Sequence, residues 1–500
     1  MAHGTADPLL SFWQKTAADF HAANPNVTIK ISPLQNEQFN TKIPVALQSN
    51  NPPDIFMQWG GGQMADQVAA GKLKDITSQV GPELKSIPGP LVANWQVGGK
   101  TYGLPYSMGV VGFWYNKALF KKAGVAEAPK TMDDLYAAIA KLKGAGVTPI
   151  AIGAKDKRPV AFYWDYFALR SCSSAVMKKA GVDFKFTDPC WTQAGKLLSD
   201  LNAKKPFQEG FLAGSAQQGA GSSAGLLANG KAGMELMGHW DPGVMTGLAA
   251  NGKGLGTDLG WFPFPAVAGG QGAPDAALGG GDGFSCSVNA PPECVKFLKY
   301  VSSVAVQTKF AATGTGLPVT TGAKSGVADP NMATLMDVRD KTSNLQLYLD
   351  VAYGTNVGSA LNDAVALELA GSGTPQDVVN AVSSAAGTPP PRGADCPAGA
   401  ARPNHPCPVG EASRDRALRR AGTGRLRGVR SAADRAGCVL QHVQVERDRA
   451  PHELCGHREL PTCLGRPDLS GGVEPQPGHR GAFDRHPASD CRGPRAPAQP

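Results

Sequence analysis

After Gly387 the chain stops using lysine. The 113 residues from Thr388 onward hold 18 Arg, 12 Asp and Glu, 16 Pro and 6 Cys, with no Lys, Ile, Met, Trp or Tyr. Such an inventory cannot bury enough apolar surface to offset the entropy of ordering, so residues 388–500 read as a disordered tail. Whatever core exists must form within the first 387 residues, which contain all eight Trp and all nine Tyr. Complete exchange of Lys for Arg, with loss of Ile, Met, Tyr and Trp, is what GC-rich DNA yields when translated in the wrong frame. The tail is therefore read as frameshifted near Ala386 to Pro390 and is assigned no function. No C-x2-C pair of the zinc type occurs in it.

The body carries 28 Lys and 3 Arg against 29 Asp and Glu, a formal charge of +2, so most of the overall +8 belongs to the tail. The usual inference from a basic chain, a nucleic-acid partner, loses its support. No stretch approaches the roughly 18 to 20 apolar residues of a membrane span, and Met1-Ala-His-Gly has neither a basic nor an apolar leader region, so no export signal is expected in the sequence as written. Four body cysteines fall in two close pairs, Cys172 with Cys190 and Cys286 with Cys294. They suit disulfides in an oxidising compartment, with four free thiols as the alternative.

Hydrophobic periodicity sets the fold class. Leu9, Phe12, Trp13, Ala17 and Phe20 recur at helical spacing and Asn24-Pro25 ends that helix. VTIKISPL alternates as a strand, NEQFNTKIPVALQSN reads as a helix, and DIFMQW is a short buried strand running into Gly60, Gly61 and Gly62. Strand and helix alternating in units of about 30 residues point to parallel βαβ layering in an open α/β sheet. Downstream, helices are expected at Thr131 to Gly144, Ala161 to Arg170, Thr192 to Leu201, Cys294 to Val304 and Asn331 to Leu349. Strands are expected at TPIAIGA, GMELMGHW and GWFPFPAV.

Motifs for chemistry are thin. Gly225 to Lys231 matches G-x4-G-K, but Ala232 replaces the hydroxyl that would hold Mg²⁺ and no strand precedes it. There is no G-x-S-x-G and no H-E-x-x-H, and the body has three His, at 3, 21 and 239. Paired cleft carboxylates of the glycosidase kind are hidden from sequence. What the body does show is aromatic residues beside glycine-rich or polar segments: QWGGGQ at Trp59, GLPYSMG at Tyr106, FYWDYF at Trp164 and MGHWDPG at Trp240. Flat rings with polar neighbours suit a sugar, which offers a C–H face and a rim of hydroxyls. Trp13, Trp95, Trp114 and Trp261 are expected in the core or at its rim, and Trp59 and Trp240 at a site.

PNVTIKISPLQNEQFNTKIPVALQSNNPPDIFMQWGGGQMADQVAAGKLKDIT, YGLPYSMGVVGFWYNKALFKKAG, GKAGMELMGHW and GGGDGFSCSVNA together resemble extracellular solute-binding protein family 1, the maltose-binding-protein-like carbohydrate receptors of ABC transporters. The resemblance runs in order from Asp7 to Ala386. It implies an α/β, type II periplasmic-binding-protein fold: two lobes, a hinge and a ligand cleft. Lobe one would be 1–112 plus 266–316, and lobe two 113–265 plus 317–387, with crossings near Gly109 to Tyr115, Phe262 to Ala268 and Thr313 to Val319. Carried over residue by residue, it places Glu37, Gln58, Trp59, Gly60, Tyr106, Ser107, Lys157, Arg158, Trp240 and Asp282 at the cleft.

The implied function is an extracytoplasmic sugar receptor, a monomer with no metal or cofactor, whose partners are a carbohydrate and a membrane permease. A carbohydrate-active enzyme using a cleft carboxylate, or a receptor for a non-sugar solute, are the alternatives. Two departures stand out. The family's signal and first strand are missing before the first helix, so a gap is expected in the sheet of lobe one. Arg158 stands where relatives often carry an aromatic.

Cutting the chain after Ala386 is expected to leave the thermal unfolding midpoint and ligand affinity unchanged. A cooperative loss of stability in the shortened protein, read by calorimetry, would overturn the reading of the tail.

Overall fold

The computed structural model describes residues 8–34, 36–387 and 445–446. The alternating elements form two α/β lobes, each built on its own mixed sheet. In lobe one Ala277–Cys286 is the central strand. It pairs antiparallel with Ile55–Gln58 and with Leu104–Val110, and its first residues pair in parallel with Leu345–Leu347. Lobe two orders its strands Thr148–Ala151, Ala232–Met237, Gly112–Asn116 and Leu259–Pro263, and only the first pair is parallel. The uniformly parallel layering expected from βαβ spacing is thus replaced by mixed sheets, because the strands that enter and leave each lobe run back against their neighbours.

Several local rules act as the sequence implies. Helix Leu9–Ala23 buries Leu9, Trp13, Ala17 and Phe20 along one stripe. Thr131 caps Met132–Gly144 in a reciprocal box with Asp134, satisfying two end donors at once. The helix expected at Asn331 to Leu349 ends early, at Lys341. Asp275 accepts from the Ser343 N–H and hydroxyl, the Thr342 hydroxyl donates to the Asp275 carbonyl, and Leu345–Leu347 then joins the sheet edge. VTIKISPL yields a strand only at Thr28–Ile29, which pairs antiparallel with Val445–Glu446, so these last two residues, of the segment expected to be disordered, are strand, while the rest of 388–500 lies outside the described residues. Among the described residues Ile55–Gln58 has one strand neighbour, so lobe one's sheet stops there.

The chain passes between lobes with little slack. Only Val111 separates Leu104–Val110 from Gly112–Asn116, and its N–H and C=O are taken by the Leu278 carbonyl and the Tyr166 hydroxyl. Residues 263–277 form the second passage, where Arg170 donates to the carbonyls of Phe264, Pro265, Ala273 and Ala276. The expected third crossing at Thr313 to Val319 lies elsewhere. Pro318 bridges Ser107, the Met108 N–H bonds Leu317, and the following turn packs on Val304–Ala311, all in lobe one. Entry into lobe two comes after Leu345–Leu347, leading to helices Gly354–Leu369 and Pro375–Ala386, which pack on Pro189–Ala203.

Cys172 is bonded to Cys190, tying the end of helix Arg158–Ser171 to the start of Pro189–Ala203. Cys286 is bonded to Cys294, tying the central strand of lobe one to Pro292–Val301. Each bridge closes a short loop, which restricts the unfolded chain and is worth about 2–3 kcal/mol. Replacing Cys286 and Cys294 by Ser is expected to lower the unfolding free energy by about that amount in urea. Peptide mapping of non-reduced exported protein checks the pairing; four alkylatable thiols would reject it.

Candidate functional site

The carboxyl end of Ile55–Gln58 carries the first cluster. Gln58 spends its amide within lobe one, accepting from the Trp59 N–H at 2.9 Å and donating to Gln67 at 2.7 Å. Gly60 has φ +73°, and a Cβ there would lie 2.5 Å from the Asn94 carbonyl oxygen, so no other residue fits without movement. Between them Trp59 donates its indole N–H to Asp282 at 3.0 Å and meets Phe39 edge-on at 5.3 Å. The Glu37 side chain lies outside the described residues.

Lobe two approaches Trp59 from the start of helix Arg158–Ser171. Lys157, in the left-handed region at φ +57°, turns the chain into that helix. The Arg158 guanidinium then lies over the Trp59 ring, 5.1 Å from its centroid, and its Nε donates to Asp350 Oδ2 at 2.6 Å. Asn362 donates to the same oxygen at 3.0 Å. Stacking on one lobe while bonding a carboxylate is what a planar guanidinium does better than an ammonium. Nearby, Asp66 of helix Gly61–Ala69 accepts from the Thr355 N–H at 2.9 Å, capping Gly354–Leu369 from the opposite lobe.

A second cluster surrounds the loop after Ala232–Met237. His239 Nε2 and Ser107 Oγ share a hydrogen bond of 3.0 Å, and the His239 ring sits where a Gly109 Cβ would lie, 2.4 Å from Cγ. Trp240 is half-buried. One region of its ring covers Gly238, His239 meets it at 5.3 Å and Tyr348 at 6.4 Å.

Of the residues expected from sequence, Gln58 and Gly60 make their contacts within lobe one beside Trp59, while Trp59, Ser107, Arg158, Trp240 and Asp282 take part in these two clusters. Two do not. Tyr106 is a core residue of lobe one, stacked on Phe284 at 5.0 Å and edge-on to Trp13 at 4.8 Å, because Ser107 takes the opposite face of their strand. Lys157 points outward and pairs with Asp363, both about half exposed (53%). His239, Tyr348 and Asp350 join the site without having been singled out as site residues. The signal for the last two, an aromatic and an acid within QLYLD, was masked by reading that segment as helix.

Behind Trp240 sits a dry acidic pair. Glu235 and Asp241 are 1% and 0% exposed, and Ser223 donates to Glu235 at 2.5 Å. Burial pushes both carboxyls up, Glu235 further raised by Asp241 beside it, and Asp241 to about 8. Burial likewise raises Asp165, with Asp350 adding like-charge repulsion. Among the described residues no three His, Cys, Asp or Glu side chains converge as metal ligands, and no helix is long and apolar enough to cross a membrane.

The model of the family described as bacterial extracellular solute-binding protein matches residues 5–308. The chain belongs to that family. This solute-binding protein is 27% identical over 389 residues to an uncharacterized ABC transporter extracellular-binding protein of Pyrococcus horikoshii, covering 73% of this chain and 81% of the relative. A structure solved in work on xylan utilization by the thermophilic bacterium Caldanaerobius polysaccharolyticus superposes with TM-score 0.70 at 27% identity, covering 76% of this chain and 97% of that one. A chitin oligosaccharide binding protein superposes with TM-score 0.67 at 22% identity, covering 77% and 96%.

The acidic pair gives the solute-binding protein a pH signature. Unfolded carboxyls titrate near 4. A folded value raised above that means the native state binds more protons, so the stabilisation present below about pH 4 is lost as pH rises toward about 8. Asp241→Asn keeps the shape and supplies a donor to Glu235. It is expected to flatten this decline and raise stability at pH 8 by ~1 kcal/mol or more, one pKa unit being about 1.4 kcal/mol. Denaturant unfolding from pH 5 to 8 on both proteins checks it; an unchanged slope would count against the pair.

Proposed function

We propose that this solute-binding protein is the sugar-binding receptor of an ABC importer, acting outside the cytoplasmic membrane as a monomer and passing its ligand to the permease. One observation carries the reading. Trp59 on lobe one and Trp240 on lobe two stand at the same inter-lobe surface, with Asp282, Arg158 and Asp350 as the hydrogen-bonding groups around them. Rings supply stacking faces for a pyranose, and charged groups supply strong hydrogen bonds to its hydroxyls. The relatives' names, an ABC transporter binding protein and a chitin oligosaccharide binding protein, support the same class.

The mechanism is closure. A ligand touching both lobes stabilises the closed form only by the difference between its affinities for closed and open states, and the permease reads that form. Binding without turnover is favoured by the state of the acids. Asp282 is engaged by the Trp59 indole and Asp350 by Arg158, while Glu235 and Asp241, both raised by burial, are sealed from solvent. The near-neutral body supports neither nucleic acid nor a polyanion as partner.

Calorimetry with xylo- and chito-oligosaccharides tests the proposal. Trp240→Ala is expected to weaken binding by ~1.5–4 kcal/mol, a hot-spot magnitude, while a half-buried ring costs the fold little. A well-folded variant with intact affinity would sink the assignment of Trp240. Hydrolysis or elimination products in the same mixtures would favour an enzyme.

A further inference from the structure

Tyr348 occupies an odd position for a tyrosine. It lies between strand Leu345–Leu347 and helix Leu349–Ala352 and is 6% exposed, yet among the described residues its hydroxyl makes no hydrogen bond. Its ring lies over Gly280 of lobe one so closely that a Cβ there would come within 2.3 Å of the ring. On the lobe two side it meets Phe162 at 5.2 Å and the edge of Trp240 at 6.4 Å. Asp282, Arg158 and Asp350 are all near enough to act electrostatically on its hydroxyl. Phe would fill the same space without burying an unpaired O–H, which is costly. The hydroxyl is therefore a donor and acceptor that the described protein groups leave open.

We propose that Tyr348 is a specificity-determining residue at the floor of the cleft, its hydroxyl bonding one hydroxyl of a neutral pyranose. Neutrality follows from the surroundings. Two carboxylates, Asp282 and Asp350, flank the position, and the guanidinium described beside them, Arg158, is already paired with Asp350. A uronate would place a third negative charge against them in a dry setting. Gly280 is part of the device: any side chain at that strand position would displace the Tyr348 ring from the floor.

This inference rests on the receptor reading and is tested so that the two fail separately. Neutral and glucuronate-bearing xylo-oligosaccharides, with neutral chito-oligosaccharides, are titrated into the full chain. Absence of binding to every saccharide would overturn the receptor reading and this proposal with it. Where a neutral sugar binds, Tyr348→Phe is expected to weaken it about 3- to 10-fold, the worth of one hydrogen bond, with an unchanged unfolding midpoint. Unchanged affinity, or tighter binding of the glucuronate-bearing sugar than of its neutral counterpart, would overturn the proposal alone. Monodeoxy analogues probe the contact without altering the fold. One deoxy position should cost the wild type the same factor and cost Tyr348→Phe nothing. If no position behaves so, the proposal is wrong whatever the stability of the variant.

Discussion

A chain that passes between two sheets must leave backbone carbonyls at each passage without a ladder partner, and this protein answers the second passage with arginine and the first with tyrosine. Only three arginines occur among the first 387 residues, against 28 lysines. Arg170 collects four carbonyls of the second passage. Arg339 gives one Nη to both Met108 and Pro318, joining the strand that leads into the first passage to the segment beside it. A guanidinium offers five donors in a fixed plane and stays charged when buried, whereas a buried lysine would lose its proton or its partners. Burial lowers the Arg170 pKa, with Tyr166 and Asp275 opposing, so the carbonyl cage works against a real desolvation cost. The lobes keep a defined relation because these passages are pinned at side chains and not merely tethered.

The third arginine faces the other way, into the inter-lobe surface. Arg158 covers the ring of Trp59 and is held by Asp350, while Asp66 caps a lobe two helix from lobe one. These contacts exist only when the lobes are together. With these groups as the ligand contacts proposed above, a ligand exchanges protein contacts for its own instead of adding to them. That exchange sets the differential affinity on which any population shift depends. An aromatic at position 158 would offer a second stacking face. The guanidinium offers a donor that leaves the Trp59 face only when something better covers it.

How much of this was legible in the sequence follows the physics of each residue. Capping at Thr131, the apolar stripe of Leu9–Ala23, and the turn glycine Gly60 are local rules and could be read directly. Trp59, Arg158 and Asp282 came from motif order, which carries position even when geometry is unknown. Tyr106, expected at the cleft, lies in the core, because Leu104–Val110 is buried on both faces and alternation does not distinguish core from cleft. Tyr348 and Asp350 were lost for a different reason. Their segment is apolar enough to extend the preceding helix, and only the open edge of Ala277–Gly279, a non-local partner, makes Leu345–Leu347 a strand. The glycines of GGGD were visible as a motif but not as a cause: Gly279 and Gly281 let strand backbones approach, with Cβ positions 2.3 and 2.0 Å from facing carbonyl oxygens, while Gly280 makes room for a ring.

The acidic pair behind Trp240 follows the same logic of position. Glu235 lies near the end of its strand and Asp241 opens the next helix, so the two bracket Gly238, His239 and Trp240. Burial raises both carboxyls and so favours their protonated forms, which lets two acids sit side by side without like-charge repulsion. His239, between them in sequence, is fixed by Ser107 of the other lobe. The loop that carries Trp240 is thus bracketed by two buried acids and tied to the other lobe through His239. A loop organised in advance loses less freedom on binding than one that must order around the sugar, which converts the cost of burying two carboxyls into readiness of the site.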